Sequence, residues 1–280
     1  MNSREPIRHL ISLLDDPDEN VARFAMGELL QHPSALSPYL AEFQESSDPL
    51  LRRRGHQLQS TLKLRARRHQ FLGLIEDPAT DVIEGSIQAH LQWFDNDSEP
   101  GLHELWRDFS TAAAAYHPGT VHQLAYFMRK YPMQYAAETT MTPEFYCIGS
   151  ILENKQGAGS MLAAIGAKLA ELAGVRLSVV RVLGEFALLD AGGLLLTPRD
   201  NWQISDGTKL RQSQKWSGPM LLRYAANMLF SNAVNSDSFR YVHTIGQALT
   251  ELPDGENLEF LPYPYSPPPE DEEEAGENPQ

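Results

Sequence analysis

The chain has 280 residues, 42% hydrophobic and 21% charged, with a formal net charge of -14. That is enough apolar material for a sizeable core, in two packed units rather than one, but no apolar run approaches the roughly 20 residues that a membrane-crossing helix needs. The start, Met1-Asn2-Ser3-Arg4-Glu5, lacks the layout of a secretion signal, so the expectation is a cytoplasmic protein with no membrane contact. Cys147 stands alone, which excludes an internal disulfide and fits a reducing compartment. Glu270, Asp271, Glu272, Glu273, Glu274 and Glu277 supply six of the negatives. The moderately acidic remainder repels a phosphate backbone, which argues against general nucleic-acid binding.

Residues 5–74 carry helical periodicity: Ile7, Leu10, Ile11 and Leu14 recur at the right spacing, Asp15-Asp16-Pro17 breaks the run, and Asp18 is placed to cap a helix with Val21, Ala25 and Leu29. The phrase Asp18-x-x-Val21-x-Arg23-x-Ala25 returns as Asp48-x-x-Leu51-Arg52-x-x-Gly55, 30 residues on, which suits stacked helix pairs. In this the unit over residues 1–75 resembles degenerate HEAT-type repeats. Residues 80–131 predict three amphipathic helices, the first with Val82, Ile83, Ile87, Leu91 and Phe94 on one side, separated at Ser98-Glu99-Pro100-Gly101 and His117-Pro118-Gly119. A helix starting at Pro143 carries Tyr146, Ile148, Ile151 and Leu152 and ends near Gly157. The next, about 160–173, puts Leu162, Ile165, Leu169 and Leu172 on one side and small residues elsewhere, as expected of a helix buried in the middle of a domain.

After Gly174 the period changes. Leu177, Val179, Val180 and Val182, then Phe186, Leu188 and Leu189, then Leu194, Leu195 and Leu196 predict three strands of a small, mostly antiparallel sheet. Trp216–Asn232 and Phe239–Leu252 return to helix, and the Pro-rich acidic tail over residues 262–280 is expected to be disordered. The fold class is therefore α+β, mostly helical.

One set of residues points further. Pro143, Ile151-Leu152-Glu153 and Gly157 precede the central helix, Leu172-Ala173-Gly174-Val175 close it, and Gly184-Glu185-Phe186 follow. With Arg223 and Asn227 beyond, the order over about 120–253 resembles the transglutaminase-like superfamily. More narrowly, it is similar to the bacterial SirB-type proteins, in which such a domain precedes a tetratricopeptide-like hairpin. The resemblance implies a transglutaminase-like domain over residues 76–212 and a hairpin over 213–253. It also implies where a catalytic triad would lie, and there the chain departs from the pattern: Gly159 stands at the cysteine position, Glu185 at the histidine, and Thr197, before Pro198, at the aspartate. Active members need a thiol at the helix start, where the helix N-terminus lowers its pKa, and an imidazole base. The expectation is accordingly a non-catalytic protein-binding or adaptor module, needing no cofactor, with a vestigial cleft at Ser160, Glu185 and Trp202.

Other arrangements compete with that reading. Ser160 or Cys147 would be the rearranged nucleophile of a hydrolase or acyl transferase. Against this, Ser160 is placed to cap the helix, a carboxylate such as Glu185 is a poor base for a hydroxyl, and Cys147 suits a buried, inert thiol. The basic helix 52–68, with Arg52, Arg53, Arg54, Lys63, Arg65, Arg67 and Arg68, would grip nucleic acid or an acidic partner unless it is simply a solvated face. Gly157-Ala158-Gly159 opens a helix as phosphate loops do, but no Lys-Ser/Thr pair follows. The nine histidines show no metal-binding pair spacing, so no metal site is expected. The other tryptophans, Trp93, Trp106 and Trp216, read as packing residues.

Overall fold

A computed structural model describes residues 4–137, 142–208, 213–236 and 238–250. Four helices open it: α1 (Arg4–Ser12), α2 (Glu19–Leu29), α3 (Pro33–Glu45) and α4 (Pro49–Glu76). The 30-residue echo has a local physical cause. Asp18 and Asp48 are both N-caps with φ -75°, each accepting a hydrogen bond of 2.8 Å from the amide two residues on, Asn20 and Leu50. The small residue closing each copy, Ala25 or Gly55, is buried, and a Cβ on Gly55 would lie 2.6 Å from that of Phe43. The close approach of α3 and α4 therefore needs a glycine. Ile7, Leu14, Leu29, Leu36, Phe43 and Leu58 form the core of this region.

Helix α4 is the link to the rest. Its 28 residues span about 42 Å; Leu58 closes the N-terminal core, while Phe71, Leu72 and Ile75 pack with Ala89, Leu222, Ala226 and Ala248 far along the chain.

The three helices expected next are α5 (Val82–Trp93), α6 (Glu99–Ala114) and α7 (Val121–Lys130), capped by Asp81, Ser98 and Thr120. Ser98-Glu99-Pro100-Gly101 thus begins α6 rather than merely separating two helices. The amphipathic reading of α5 fails: every residue from Gly85 to Trp93 is buried, with Ser86, Gln88, His90 and Gln92 among them. The helix packs against α4, α6 and the helices at Ile148–Asn154, Gly159–Leu172, Gly218–Asn235 and Phe239–Thr250, so its polar side also faces protein.

Where one helix from Pro143 to Gly157 was expected, the chain forms a 3-10 turn (Pro143–Phe145), α8 (Ile148–Asn154) and strand β2 (Gln156–Gly157). Cys147 is extended, and Lys155 adopts the left-handed region at φ 58°. This turns the chain into a parallel pairing of β2 with β1 (Gln134–Tyr135). Central helix α9 (Gly159–Leu172) follows and is buried over its first eight residues. Leu172, assigned to its buried side, is 60% exposed because it lies at the helix end. Gly174, at φ 77°, then releases the chain into the sheet.

That sheet has five strands rather than three, ordered β6-β5-β4-β3-β7 and antiparallel throughout: β3 (Leu177–Val182), β4 (Glu185–Asp190), β5 (Leu194–Thr197), β6 (Gln203–Asp206) and β7 (Gln214–Trp216). The two additional strands are short, polar edges, which gave no alternating apolar signal. Leu183 and Gly184 make the two-residue turn between β3 and β4, both at positive φ, the form that matches strand twist. Trp216, expected to start a helix, ends β7; α10 (Gly218–Asn235) is capped by Ser217 and followed by α11 (Phe239–Thr250). Leu221, Ala225, Leu229, Val242 and Ile245 share one core with α5 and α9, so the hairpin is built into the centre. The architecture is α+β and mostly helical. No described helix is long and apolar enough to cross a membrane, and the tail at 262–280 lies outside the described residues.

Candidate functional site

Three backbone bonds fix the start of α9. Gln134 N donates to Lys155 O at 2.7 Å, Ala136 N to Gly157 O at 2.9 Å, and Ala158 N to Phe145 O at 2.9 Å. A strand therefore leads directly into the helix, though one of only two residues. The N-cap is Ala158, which offers no side-chain bond. Ser160 does not cap the helix; it lies inside the first turn, 1% exposed, and its Oγ has no hydrogen-bond partner among the described residues.

Gly159 stands at the helix start, and its surroundings decide what that position can hold. A Cβ there would meet the Tyr135 ring at 3.2 Å and the Phe186 Cβ at 3.9 Å, so aromatic groups fill the space beside the backbone. Strand alternation gives the facing place on β4 to Phe186 rather than Glu185. Leu188 lies against Gly166 of α9, side chains two apart share a face, and Phe186 falls in that series while Glu185 falls in the other. Glu185 is connected to this corner through the Tyr135 hydroxyl, which donates to its Oε2 at 3.5 Å, and its other oxygen is engaged by Arg199. Thr197 ends β5, pairs with Gln203 and accepts from Trp202 N at 2.9 Å through its carbonyl. Glu185 is thus linked to the helix start, whereas among the described residues the Thr197 side chain bonds to neither.

Trp202 belongs to the core. It is fully buried, donates from Nε1 to Met133 O at 2.7 Å, and lies 3.3 Å from where a Cβ on Gly166 would stand. Gly166 is seven residues along α9 from Gly159, about 10 Å. Residues not anticipated here are Tyr135, Arg199 and the aromatic group of Phe186, Trp216 and Tyr224, whose ring centroids are 4.9–5.5 Å apart. The Arg181 guanidinium lies over all three.

Among the described residues, neither alternative nucleophile is hydrogen-bonded to a base. Burial pushes the Cys147 thiol well above its ordinary pKa, and Glu144 and Asp97 add to the shift, so the thiolate is suppressed. The Ser160 hydroxyl has no hydrogen-bonded base among the described residues to take its proton.

The basic residues are spread around α4, since consecutive helical positions are about 100° apart, and most of them bind the chain itself. Arg54, 5% exposed, donates to Leu14 O and Asp16 O, both at 2.7 Å. Arg52 reaches Ser46 O, Arg65 reaches Leu30 O, and Arg67 reaches Asp95 O. These carbonyls lie at or just past the C-terminal ends of α3, α2 and α5, where unsatisfied carbonyls attract cations. Arg68 donates to Gln247, Arg53 faces Glu19 at 3.8 Å, and Lys63 is exposed. The strip, read from the sequence as a grip for a partner or a solvated helix face, is mainly an internal set of ties.

No family model matches the chain, and neither the curated proteins nor the solved structures yield a significant match.

Proposed function

We propose that this is a transglutaminase-like protein of the SirB type that has lost its chemistry and serves as a protein-binding or adaptor module. The observation carrying the reading is the packing at Gly159: the helix start that would present a thiol presents bare backbone, with Tyr135 and Phe186 against it. Glu185, at the position the resemblance gives to the base, is engaged by Arg199 and Tyr135. The binding role is assigned to the surface of α1–α4, which α4 holds together through its arginines and which leaves Phe24 64% exposed.

The test has two arms on the purified chain. Ester and amide hydrolysis and acyl transfer to an amine should stay at the background rate. Photo-crosslinking from exposed position 28, one helical turn from Phe24, should capture one protein partner saturably from a cell lysate, with capture lost in Phe24→Asp. Turnover that disappears in Ser160→Ala or Cys147→Ala overturns the first half, and capture insensitive to Phe24→Asp overturns the second.

A further inference from the structure

The nine histidines gave no metal spacing in the sequence, but two helices bring one of them to a pair of carboxylates. Glu84 and Gln88 are four apart on α5, Glu99 and His103 are four apart on α6, and residues at that spacing lie on one helix face. The donor atoms of Glu84, Glu99 and His103 all lie within 4.8 Å of one another. His103 Nε2 stands 3.5 Å from Glu84 Oε2. Donors around a tetrahedral zinc ion with bonds of about 2.1 Å are roughly 3.4 Å apart, so this pair is already at ligand spacing.

Gln88 is the independent observation. Its side chain is fully buried, and its terminal amide stands between the two carboxylates, Nε2 being 2.8 Å from Glu99 Oε1 and 3.4 Å from Glu84 Oε1. Its Oε1 has no hydrogen-bond partner among the described residues, an expensive state for a buried acceptor. A half-turn about the last side-chain torsion exchanges the amide oxygen and nitrogen. That rotation puts Oε1 where Nε2 now stands, facing the same point as both carboxylates. Two carboxylates this close repel each other, and among the described residues no lysine or arginine is paired with either; a cation relieves the repulsion and gives the turned Oε1 a partner, in exchange for the two hydrogen bonds that Nε2 now donates to the carboxylates.

We propose that Glu84, Glu99 and His103, with Gln88 as an amide-oxygen donor, bind one divalent transition-metal ion between α5 and α6. The imidazole nitrogen selects Zn2+ or a similar ion over Mg2+ and Ca2+, which favour all-oxygen sites. Because the ligands come from two helices, the ion would also tie α6 to the buried α5.

Titration calorimetry of the full chain in its Cys147→Ser form, with ZnCl2 as the probe, removes the thiol as a competing ligand. One saturable ion per chain is expected, with affinity weakened about tenfold or more in Gln88→Leu, and at least as much in Glu99→Gln and His103→Gln. The Glu104→Gln control, altering an exposed residue that pairs with Arg107, should be unchanged. Zn2+ should raise the melting temperature of the parent more than that of His103→Gln, and circular dichroism checks that each variant is folded. No saturable binding, or binding equal in parent, Glu99→Gln and His103→Gln, overturns the proposal. MgCl2 competing at similar concentration would overturn the assigned metal class.

Discussion

Helices α9 and α5 are both buried near the centre, yet they use that position in opposite ways. The interior of α9 is built of small and apolar residues, and its one buried hydroxyl, on Ser160, touches no hydrogen-bonding group among those described. The interior of α5 holds Ser86, Gln88, His90 and Gln92, several of them bonded to carboxylates or carbonyls. The difference teaches that the most conspicuous sequence motif and the main concentration of buried polarity are separate. Where α9 meets the sheet it packs; where α5 meets α6 it gathers charge.

The sharpest test of the α9 half is Trp202→Ala. If Trp202 packs against Gly166 rather than lining a cleft, its truncation should destabilise the protein by about 4 kcal/mol in urea unfolding. A loss below about 1 kcal/mol would break the comparison. Next is Arg54→Ala, which leaves the Leu14 and Asp16 carbonyls without their charged donor and should cost about 3 kcal/mol, against little change for the exposed Lys63→Ala. Equal small effects would return the arginines to a solvated face.

The α5 half predicts a pH dependence. Burial lowers the pKa of His90, with Asp97 and Glu153 opposing the shift. Burial and Arg68 likewise lower that of His243. For a histidine with a depressed folded pKa, the unfolded chain binds the proton first. Stability should therefore be greatest above the unfolded value of about 6.5 and fall as pH drops below it, until the folded form also protonates. Urea midpoints at several pH values should show a shallower fall in His90→Gln; an unchanged slope would remove His90 from the account. The smallest effect belongs to Ser160→Ala. Removing a hydroxyl with no partner should change stability by no more than about 1 kcal/mol, in contrast to the buried polar groups of α5.

Much of the fold was legible because its signals are local. Asp18 caps α2, the valines and leucines after Gly174 form strands, and the small residues of α9 mark burial. The site was harder to read. Counting along the chain reached Glu185, but alternation within β4 turns Phe186 toward Gly159. Tyr135 lies on a two-residue strand too short to leave a pattern. On α5, polar residues at 86, 88, 90 and 92 read as a solvated side, since nothing local reveals that α10 and α11 cover the helix. The spacings of Glu84 with Gln88 and of Glu99 with His103 were present in the sequence, but only the packing of α5 on α6 joins them.

The central claim, that the start of α9 and its surroundings hold no working nucleophile, is tested most directly by covalent labelling read by mass spectrometry. The native chain is treated with iodoacetamide and a fluorophosphonate, then the experiment is repeated after unfolding in urea. The account predicts no label on Ser160 in either state, and label on Cys147 only once the chain is unfolded. Rapid labelling of Ser160 or Cys147 in the native protein would contradict it.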